Sequence, residues 1–226
     1  MGDLVHTDFP GDGLTERDLA TTPLEQVGRW LADAEARQAE RGDVPEPTAL
    51  SVATVDAAGI PNVRTVLLRF LDARGPGFVS DLGSAKGAEI AATGGLAAAL
   101  TWPAMYRAVR FRGRAVLLDR DEVADYFVAR PWGSRISAWA SHQSHPVADR
   151  AALVAAYDEL AARFPDTGSP DDVPVPDRWG GWRIDCDEVE LWAGRRNRLH
   201  DRLVFGRVAP GGLDDASAWR VLRRQP

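Results

Sequence analysis

The sequence predicts a mainly β fold, in which an antiparallel sheet closes into a barrel and helices lie at its periphery. One observation is that apolar and polar residues alternate with a period of two from residue 49 onwards. A second is that short turns rich in glycine, alanine and aspartate separate the alternating segments. A third is that strand patterns return near the C-terminus, after a helical section.

The start of the chain divides into two parts. Residues 1–21 mix Gly, Asp, Thr and Pro without periodicity, so we expect a flexible N-terminal segment followed by one domain over 22–226. A helix then begins, with Thr22 as its N-cap and Glu25 placed to complete a capping box. Gly42 ends that helix, whose apolar stripe packs it onto the rest of the domain.

The alternating segments predict a series of strands and one brief helix in the first half of the chain. The helix begins at Ser84, runs through Ile90 and ends before a glycine pair. Strands are predicted at 49–55, 62–70, 78–80, 96–102 and 106–117.

A helical section follows, and strands return after it. Asp119 and Glu122 form a second capping pattern, a short helix carries Ile136 and Trp139, and residues 149–164 form a longer helix. A proline-rich loop then precedes the C-terminal strands. These strands are predicted at 182–184, 189–193, 203–207 and 219–222.

Composition bounds the function. A chain of 226 residues with 45% hydrophobic and 27% charged residues suits one globular domain. The net charge of −6 argues against nucleic-acid binding, which needs an extended basic surface. Cys186 is the single cysteine, so we expect no internal disulfide, and His6, His142 and His145 show no ligand spacing with it or with one another, so we expect no metal site. No run approaches membrane-spanning length, so we expect a cytoplasmic protein without membrane association.

The segment 198–202 (RLHDR) gathers three cationic or titratable side chains near the C-terminus. On an extended strand, alternation would put Arg198, His200 and Arg202 on one face. Such a face is an anion cradle with a proton-handling group at its centre. The alternative is an exposed edge strand whose charges serve solubility.

Motifs along most of the chain carry a resemblance to the pyridoxamine 5'-phosphate oxidase family. They occur in the family's order, which is more specific than any one of them. The motifs are 13–19 (GLTERDL), 53–56 (ATVD), 64–69 (RTVLLR), 83–86 (GSAK), 126–127 (YF), 130–131 (RP), 138–144 (AWASHQS), 173–176 (VPVP), 179–181 (WGG) and Trp192 leading into 198–202.

The resemblance implies an FMN-binding split β-barrel that works as a homodimer with sites built between subunits. No protein side chain accepts a hydride, so a cofactor has to, and in this family the cofactor is FMN. By itself Lys86 is typical of an exposed lysine; the resemblance instead assigns it to the FMN phosphate. The implied cofactor-binding residues are Arg64, Thr65, Val66, Leu67, Leu68, Arg69, Val79, Ser80, Lys86, Gln143, Ser144, Trp192 and Arg202.

The resemblance also implies a second phosphate site, for the substrate. Strict alternation puts Arg64 and Arg69 on opposite strand faces, which suits two different anions. Arg198 and His200 are the implied catalytic residues, beside the substrate ring and its reacting carbon. The substrate would deliver a hydride to the flavin, and O2 would reoxidise the flavin with release of H2O2. The implied substrate-binding residues are Arg69, Tyr126, Arg130, Ser134, Arg198 and His200.

Departures from the family pattern leave alternatives open. Ala85 stands where the family has an arginine, and Ala108 where it has a glutamine against the flavin ring, although Arg110 could compensate. His6 and Phe9 stand where the family has a lid arginine and tyrosine. The function expected first is oxidation of pyridoxamine or pyridoxine 5'-phosphate to pyridoxal 5'-phosphate. The alternatives are an oxidase of another small molecule, similar to those of phenazine biosynthesis, a non-catalytic flavin- or pyridoxal-phosphate-binding protein, and a deazaflavin in place of FMN.

Overall fold

The computed structural model of the chain describes residues 8–226, which form an antiparallel, curled sheet with helices packed around it. The strands are β1 (Ala49–Val55), β2 (Pro61–Leu67), β3 (Phe70–Asp72), β4 (Gly75–Asp81), β5 (Gly95–Trp102), β6 (Arg107–Leu117), β7 (Trp179–Ala193), β8 (Asp201–Arg207) and β9 (Trp219–Arg224). The helices are α1 (Pro23–Arg41), α2 (Ala85–Thr93), α3 (Arg120–Val128), α4 (Trp132–Ala140) and α5 (Arg150–Arg163). The predicted fold class is confirmed.

The sheet runs in the order β2-β1-β5-β6-β7-β4-β3, and β8 pairs with both β7 and β9. β7 joins two parts of the sheet, because its first residues pair with β4 and its last ones with β8. The prediction of two separate strands at 182–184 and 189–193 was wrong, since β7 is continuous. Its register against β6 shifts between Arg112 and Gly113, where a β-carbon on the glycine would lie 1.9 Å from Asp185 O.

The N-terminal helix α1 follows its sequence signals closely. Thr22 is the N-cap, and its Oγ1 accepts the Glu25 N–H at 3.2 Å. The Glu25 carboxylate binds Arg29 on the next turn, so the capping interaction consists of the Thr22 contact. Gly42 ends the helix with a φ of +69° and donates to Gln38 O, as a left-handed C-cap does.

The strand predicted over 62–70 divides into β2 and β3. Leu68 N–H donates to Thr48 O, next to β1, whereas Arg69 N–H donates to Gly77 O on β4. The chain therefore leaves one partner strand and joins another between these two residues. Arg69 lies between β2 and β3 and belongs to neither, so the strict alternation that predicted opposite faces for Arg64 and Arg69 does not extend to Arg69.

Two apolar clusters hold the fold together. The larger fills the barrel and includes Leu50, Leu100, Phe111, Leu191 and Phe205, all almost fully buried. The smaller joins α3 and α4 to the start of β7 through residues such as Phe127, Ile136 and Trp179. Burial of apolar side chains is the main favourable term in folding, so these two clusters hold the sheet and the helices together.

The segment before α1 lies against the C-terminal strands from Leu14 onwards. Leu14 is buried, and its N–H donates to Asp201 Oδ2 at 2.8 Å. Arg223 binds Glu16 at 2.8 Å and also contacts Asp201. The flexibility expected for 1–21 and the boundary at residue 22 stay predictions. Over residues 8–226, no helix is long and apolar enough to cross a membrane.

Candidate active site

An open cavity of about 670 Å³ lies where β2, β4, α2 and the loop after α4 meet. This volume is in the usual range for a small-molecule site. The cavity brings together twelve of the residues that the sequence predicted. They are Arg64, Thr65, Val66, Leu67, Arg69, Val79, Ser80, Lys86, Tyr126, Arg130, Gln143 and Ser144. Leu68 is buried beside them without lining the cavity.

Lys86 lies at one end of the cavity and is only 5% exposed. Its Nζ donates to Ser80 Oγ at 2.7 Å, to Gln143 Oε1 at 2.9 Å and to Ser84 Oγ at 3.0 Å. Among residues 8–226 no carboxylate lies within ion-pair distance of it. Burial, together with the nearby Arg64 charge, lowers the pKa of Lys86 to about 8. A buried ammonium surrounded by neutral acceptors is suited to an incoming anion.

Arg64 lies beside Lys86, but its charge is already compensated. Its guanidinium binds the Glu89 carboxylate at 2.8 Å and also contacts Thr54 Oγ1. Glu89 further accepts from Thr54 Oγ1 and from Asn62 Nδ2 at 3.0 Å. Burial raises the pKa of Glu89, but the three hydrogen-bond donors outweigh it and leave that pKa below its usual value. Glu89 is therefore an anion at neutral pH.

A second cationic end of the cavity is formed by Arg69 and Arg130. Arg130 Nη1 is buried, has no hydrogen-bond partner within the described chain, and its guanidinium lies 4.5 Å from the Trp179 ring centre. Burial lowers the pKa of Arg130, the nearby Tyr126 raises it, and the charge of Arg69 lowers it further. Trp179 Nε1 is likewise buried without a partner in the described part of the chain. Unpaired donors of this kind point to a ligand that accepts hydrogen bonds.

Arg198 and His200 lie in a different place. Residues Arg196–Arg198 form a 3-10 turn, and both Asn197 and Arg198 have positive φ angles. The prediction of one extended face bearing 198, 200 and 202 was therefore wrong, because the strand begins only at Asp201.

Aromatic rings surround His200. Its ring centre lies 4.7 Å from that of Trp192 and 5.1 Å from that of Phe9. The Arg198 guanidinium lies 5.5 Å from the Phe9 ring centre. His200 Nδ1 accepts the Arg195 N–H at 3.1 Å, so the neutral ring carries its proton on Nε2. His6 lies outside the described residues.

Arg202 pairs with Trp192 across β7 and β8, and its guanidinium binds Glu190 at 2.8 and 3.0 Å. Glu190 is 1% exposed and also binds Arg110 at 2.5 Å. Arg110 thus serves as a counter-charge to Glu190, whereas the sequence suggested that it could replace the lost glutamine at Ala108.

The two groups of predicted residues are separated along β7. Gly180 pairs with Ser80 at the cavity, and Trp192 pairs with Arg202 twelve residues later, or roughly 40 Å of extended chain. Ser134 lies in the first turn of α4, outside the cavity lining. The two groups of predicted residues therefore lie far apart along β7.

Sequence reasoning missed Glu89, Asn62 and Trp179 as neighbours of the cavity. Glu89 follows Lys86 by three residues on a helix, and that spacing places both on one face, so a signal was present. The contribution of Trp179 depends on how α3 packs against β7, which no local pattern indicates.

Comparison with solved structures defines the class of protein. The chain is similar to PhzG from Burkholderia lata 383, solved in complex with tetrahydrophenazine-1-carboxylic acid, with a TM-score of 0.80, 31% identity, and coverage of 96% of this chain and 99% of that one. A pyridoxamine 5'-phosphate oxidase-related, FMN-binding protein from Nostoc punctiforme shares the fold at a TM-score of 0.65 and 17% identity, over 88% of this chain and 96% of that one. The fold is the split barrel of such proteins.

Sequence comparison then gives the family. The family model described as pyridoxamine 5'-phosphate oxidase matches residues 36–164, and the model for the C-terminal dimerisation region of pyridoxine 5'-phosphate oxidase matches 179–226. A pyridoxine/pyridoxamine 5'-phosphate oxidase of Kineococcus radiotolerans is 46% identical over 97% of this chain and 96% of its own length. One of Streptomyces avermitilis is 44% identical over 95% and 92%. The chain belongs to the pyridoxamine 5'-phosphate oxidase family of oxidoreductases.

The donor set of the cavity fits the FMN that this family implies. A phosphate monoester needs aimed donors, and Lys86, Ser80 and Gln143 form such a set at one end. The orphaned Arg130 Nη1 and Trp179 Nε1 lie at the other end, where a second anionic group could bind.

Proposed function

We propose that this protein is an FMN-dependent oxidase that converts pyridoxamine or pyridoxine 5'-phosphate to pyridoxal 5'-phosphate and reduces O2 to H2O2. The observation that carries the proposal is one cavity with Lys86 at one end and Arg130 at the other, neither of which forms an ion pair with a carboxylate of residues 8–226. Buried charges without partners are unfavourable, so this arrangement suits a site that takes two phosphorylated molecules.

Each end of the cavity has its own task. The FMN phosphate is bound by Lys86, Ser80, Gln143 and Ser144. Residues 64–67 of β2 and Arg69, just after it, line the cavity along the cofactor, and Leu68 is buried beside them. Arg69, Tyr126 and Arg130 bind the substrate phosphate, for which the guanidinium groups supply forked donors. FMN, when bound, would supply the acceptor for the hydride, which carries both electrons that the substrate loses.

The remaining predicted residues come from a second subunit in this proposal. In a homodimer, the cavity of one protomer meets four residues of its partner, namely Trp192, Arg198, His200 and Arg202. The match to a dimerisation region supports the homodimer. A two-fold axis would then build two equal sites. His200 and Arg198 hold the substrate ring, and His200 handles the proton of its amine or hydroxyl group.

The proposed activity is tested on the purified protein. It should be yellow, or become so with added FMN, and should consume O2 when pyridoxamine 5'-phosphate is added. Colourless protein that ignores FMN would overturn the FMN assignment and direct the search to a deazaflavin. Yellow protein that leaves the B6 substrate unchanged would contradict the substrate assignment.

Mixing two variants of low activity tests the shared site. The assay uses an FMN concentration that saturates the wild-type cavity but leaves that of Lys86→Met largely empty, and His200→Ala disables the segment that the partner contributes. If each site uses both subunits, re-associated mixtures regain about a quarter of wild-type activity, because half of the dimers are mixed and each has one intact site. A site built within one chain would regain none.

A second candidate is the oxidation of another small molecule. The 31% identity to PhzG supports it, as do Ala85 and Ala108, which remove polar side chains from the predicted flavin site. Arg110 does not compensate, since it pairs with Glu190. A panel of ring amines and ring alcohols distinguishes this candidate from the first, and a yellow protein that turns over none of them would be a flavin-binding protein without activity.

A further inference from the structure

A carboxylate lies beside the Lys86 end of the cavity, where it contacts the lining residues Asn62 and Arg64. Glu89 is on α2, one turn after Lys86, and its side chain is 12% exposed. Three donors orient it: Thr54 Oγ1, Asn62 Nδ2 and the Arg64 guanidinium. The ion pair with Arg64 is therefore built into the site, and it is better shielded from water than most surface pairs.

This ion pair changes the charge that an incoming phosphate meets. Arg64 and Lys86 are the cations of this end of the cavity. Glu89 cancels one of the two charges, so Lys86 supplies the net positive charge there. Ala85, which lines the cavity beside Lys86, contributes no charge.

We propose that Glu89 sets the affinity of this site for phosphate monoesters by sequestering Arg64. This inference rests on the proposed function, since FMN is the phosphate monoester concerned. A bound phosphate has to draw Arg64 away from Glu89 or do without it. Either route weakens the binding of phosphorylated flavin and leaves riboflavin, which has no phosphate, almost unaffected.

The test compares flavin binding by Glu89→Gln and wild-type protein through quenching of flavin fluorescence. Glutamine keeps one acceptor oxygen, for either Thr54 Oγ1 or Asn62 Nδ2, and removes the negative charge that holds Arg64. We expect Glu89→Gln to bind FMN about tenfold more tightly, the change that ~1.4 kcal/mol gives, with riboflavin affinity altered less than about twofold. The matched control is Glu159→Gln, on the exposed face of α5, which changes the net charge equally and should leave both affinities unchanged.

A second background tests the route through Arg64. In Arg64→Gln protein, adding Glu89→Gln should give little further gain in FMN affinity, because there is no arginine to release. An equal gain in both backgrounds would overturn sequestration as the cause, and so would an unchanged FMN affinity in the single variant. A gain for FMN and riboflavin alike would also contradict the proposal.

Inorganic phosphate provides a readout that needs no flavin. The midpoint of thermal unfolding is followed against phosphate concentration, and Glu89→Gln should show the same rise in midpoint at about a tenfold lower phosphate concentration than wild type. If neither protein binds FMN but this difference remains, the proposed function fails while the role of Glu89 stands. If FMN binds and the phosphate curves coincide, the role of Glu89 fails alone.

Discussion

The cavity around Lys86 and the C-terminal segment around Arg202 both gather cations, but they differ in what neutralises them. Arg202 and Arg110 share the buried carboxylate of Glu190. Lys86 has hydroxyl and amide partners, and no carboxylate of residues 8–226 pairs with it. The comparison teaches that a run of charges in the sequence does not define an anion site. A buried cation without a counter-ion defines it better.

The comparison also separates binding from chemistry. In the proposed dimer the cavity holds the phosphates, whereas His200 and Arg198 act at the reacting carbon. Variants of the cavity should therefore change the affinity for FMN, and variants of Arg198 and His200 should change kcat. Variants of the ion pairs around Glu190 should change the free energy of unfolding instead.

The largest effect is expected from His200→Ala and Arg198→Ala. Loss of proton handling or ring positioning should lower kcat by about 10²–10⁴ while the Kd for FMN changes little. Steady-state oxygen consumption and flavin fluorescence measure the two quantities on the same samples. Leu199→Ala is the matched control, since Leu199 lies between them and is 69% exposed. A near-normal kcat in either variant would remove that residue from the chemistry.

Lys86→Met should have the next largest effect, this time on the cofactor. Loss of a charged donor worth ~1.5–3 kcal/mol weakens FMN binding by about tenfold to a hundredfold. Urea unfolding of the ligand-free protein should show no loss of stability, because methionine removes a buried charge along with its hydrogen bonds. FMN affinity equal to that of wild type would place the phosphate elsewhere.

Glu190→Gln should lower stability, whereas Lys86→Met should lower FMN affinity. The substitution leaves Arg202 and Arg110 beside a buried neutral group, so the free energy of unfolding should fall by about 2 kcal/mol. The loss is smaller than for a fully buried pair because Arg110 is half exposed. Glu188→Gln, which loses a more exposed pair with Arg224, is the control and should lower it by under ~1 kcal/mol. If Glu190→Gln and Glu188→Gln lower the free energy of unfolding equally, the buried ion pairs of Glu190 are no more stabilising than the more exposed pair of Glu188.

Much of the fold could be predicted from the sequence, because caps, turns and alternation act locally. Thr22 and Gly42 bound α1 where their chemistry indicates, and β1 has the bounds of its alternating run. The division at Leu68 and Arg69 could not be predicted, since it depends on which strand offers the next carbonyl.

The candidate site was predictable to a similar degree. The ordered motifs identified most of the cavity lining. They could not show that Glu89 neutralises Arg64 or that Glu190 neutralises Arg202, because such pairings arise only when separate elements pack together.

The smallest effect is the pH dependence of FMN binding. In the ligand-free protein the pKa of Lys86 is about 8 instead of 10.5, chiefly because the side chain is buried. Above pH 8 the folded protein loses this proton and with it the attraction for phosphate, so the Kd for FMN should rise about tenfold from pH 7.5 to 9. Riboflavin, which has no phosphate, should show a much flatter profile.

Stability should respond in the opposite direction over the same pH window. Between about 8 and 10.5 the unfolded chain keeps the Lys86 proton that the folded chain has lost, so the unfolded state binds more protons and stability rises with pH. The rise is measured as the difference between ligand-free wild-type and Lys86→Met protein in urea unfolding at several pH values. If the free energies of unfolding of the two proteins change in parallel with pH, the pKa of Lys86 is the ordinary one. The contrast between Lys86 and the arginines paired with Glu190 would then rest on the positions of their partners alone.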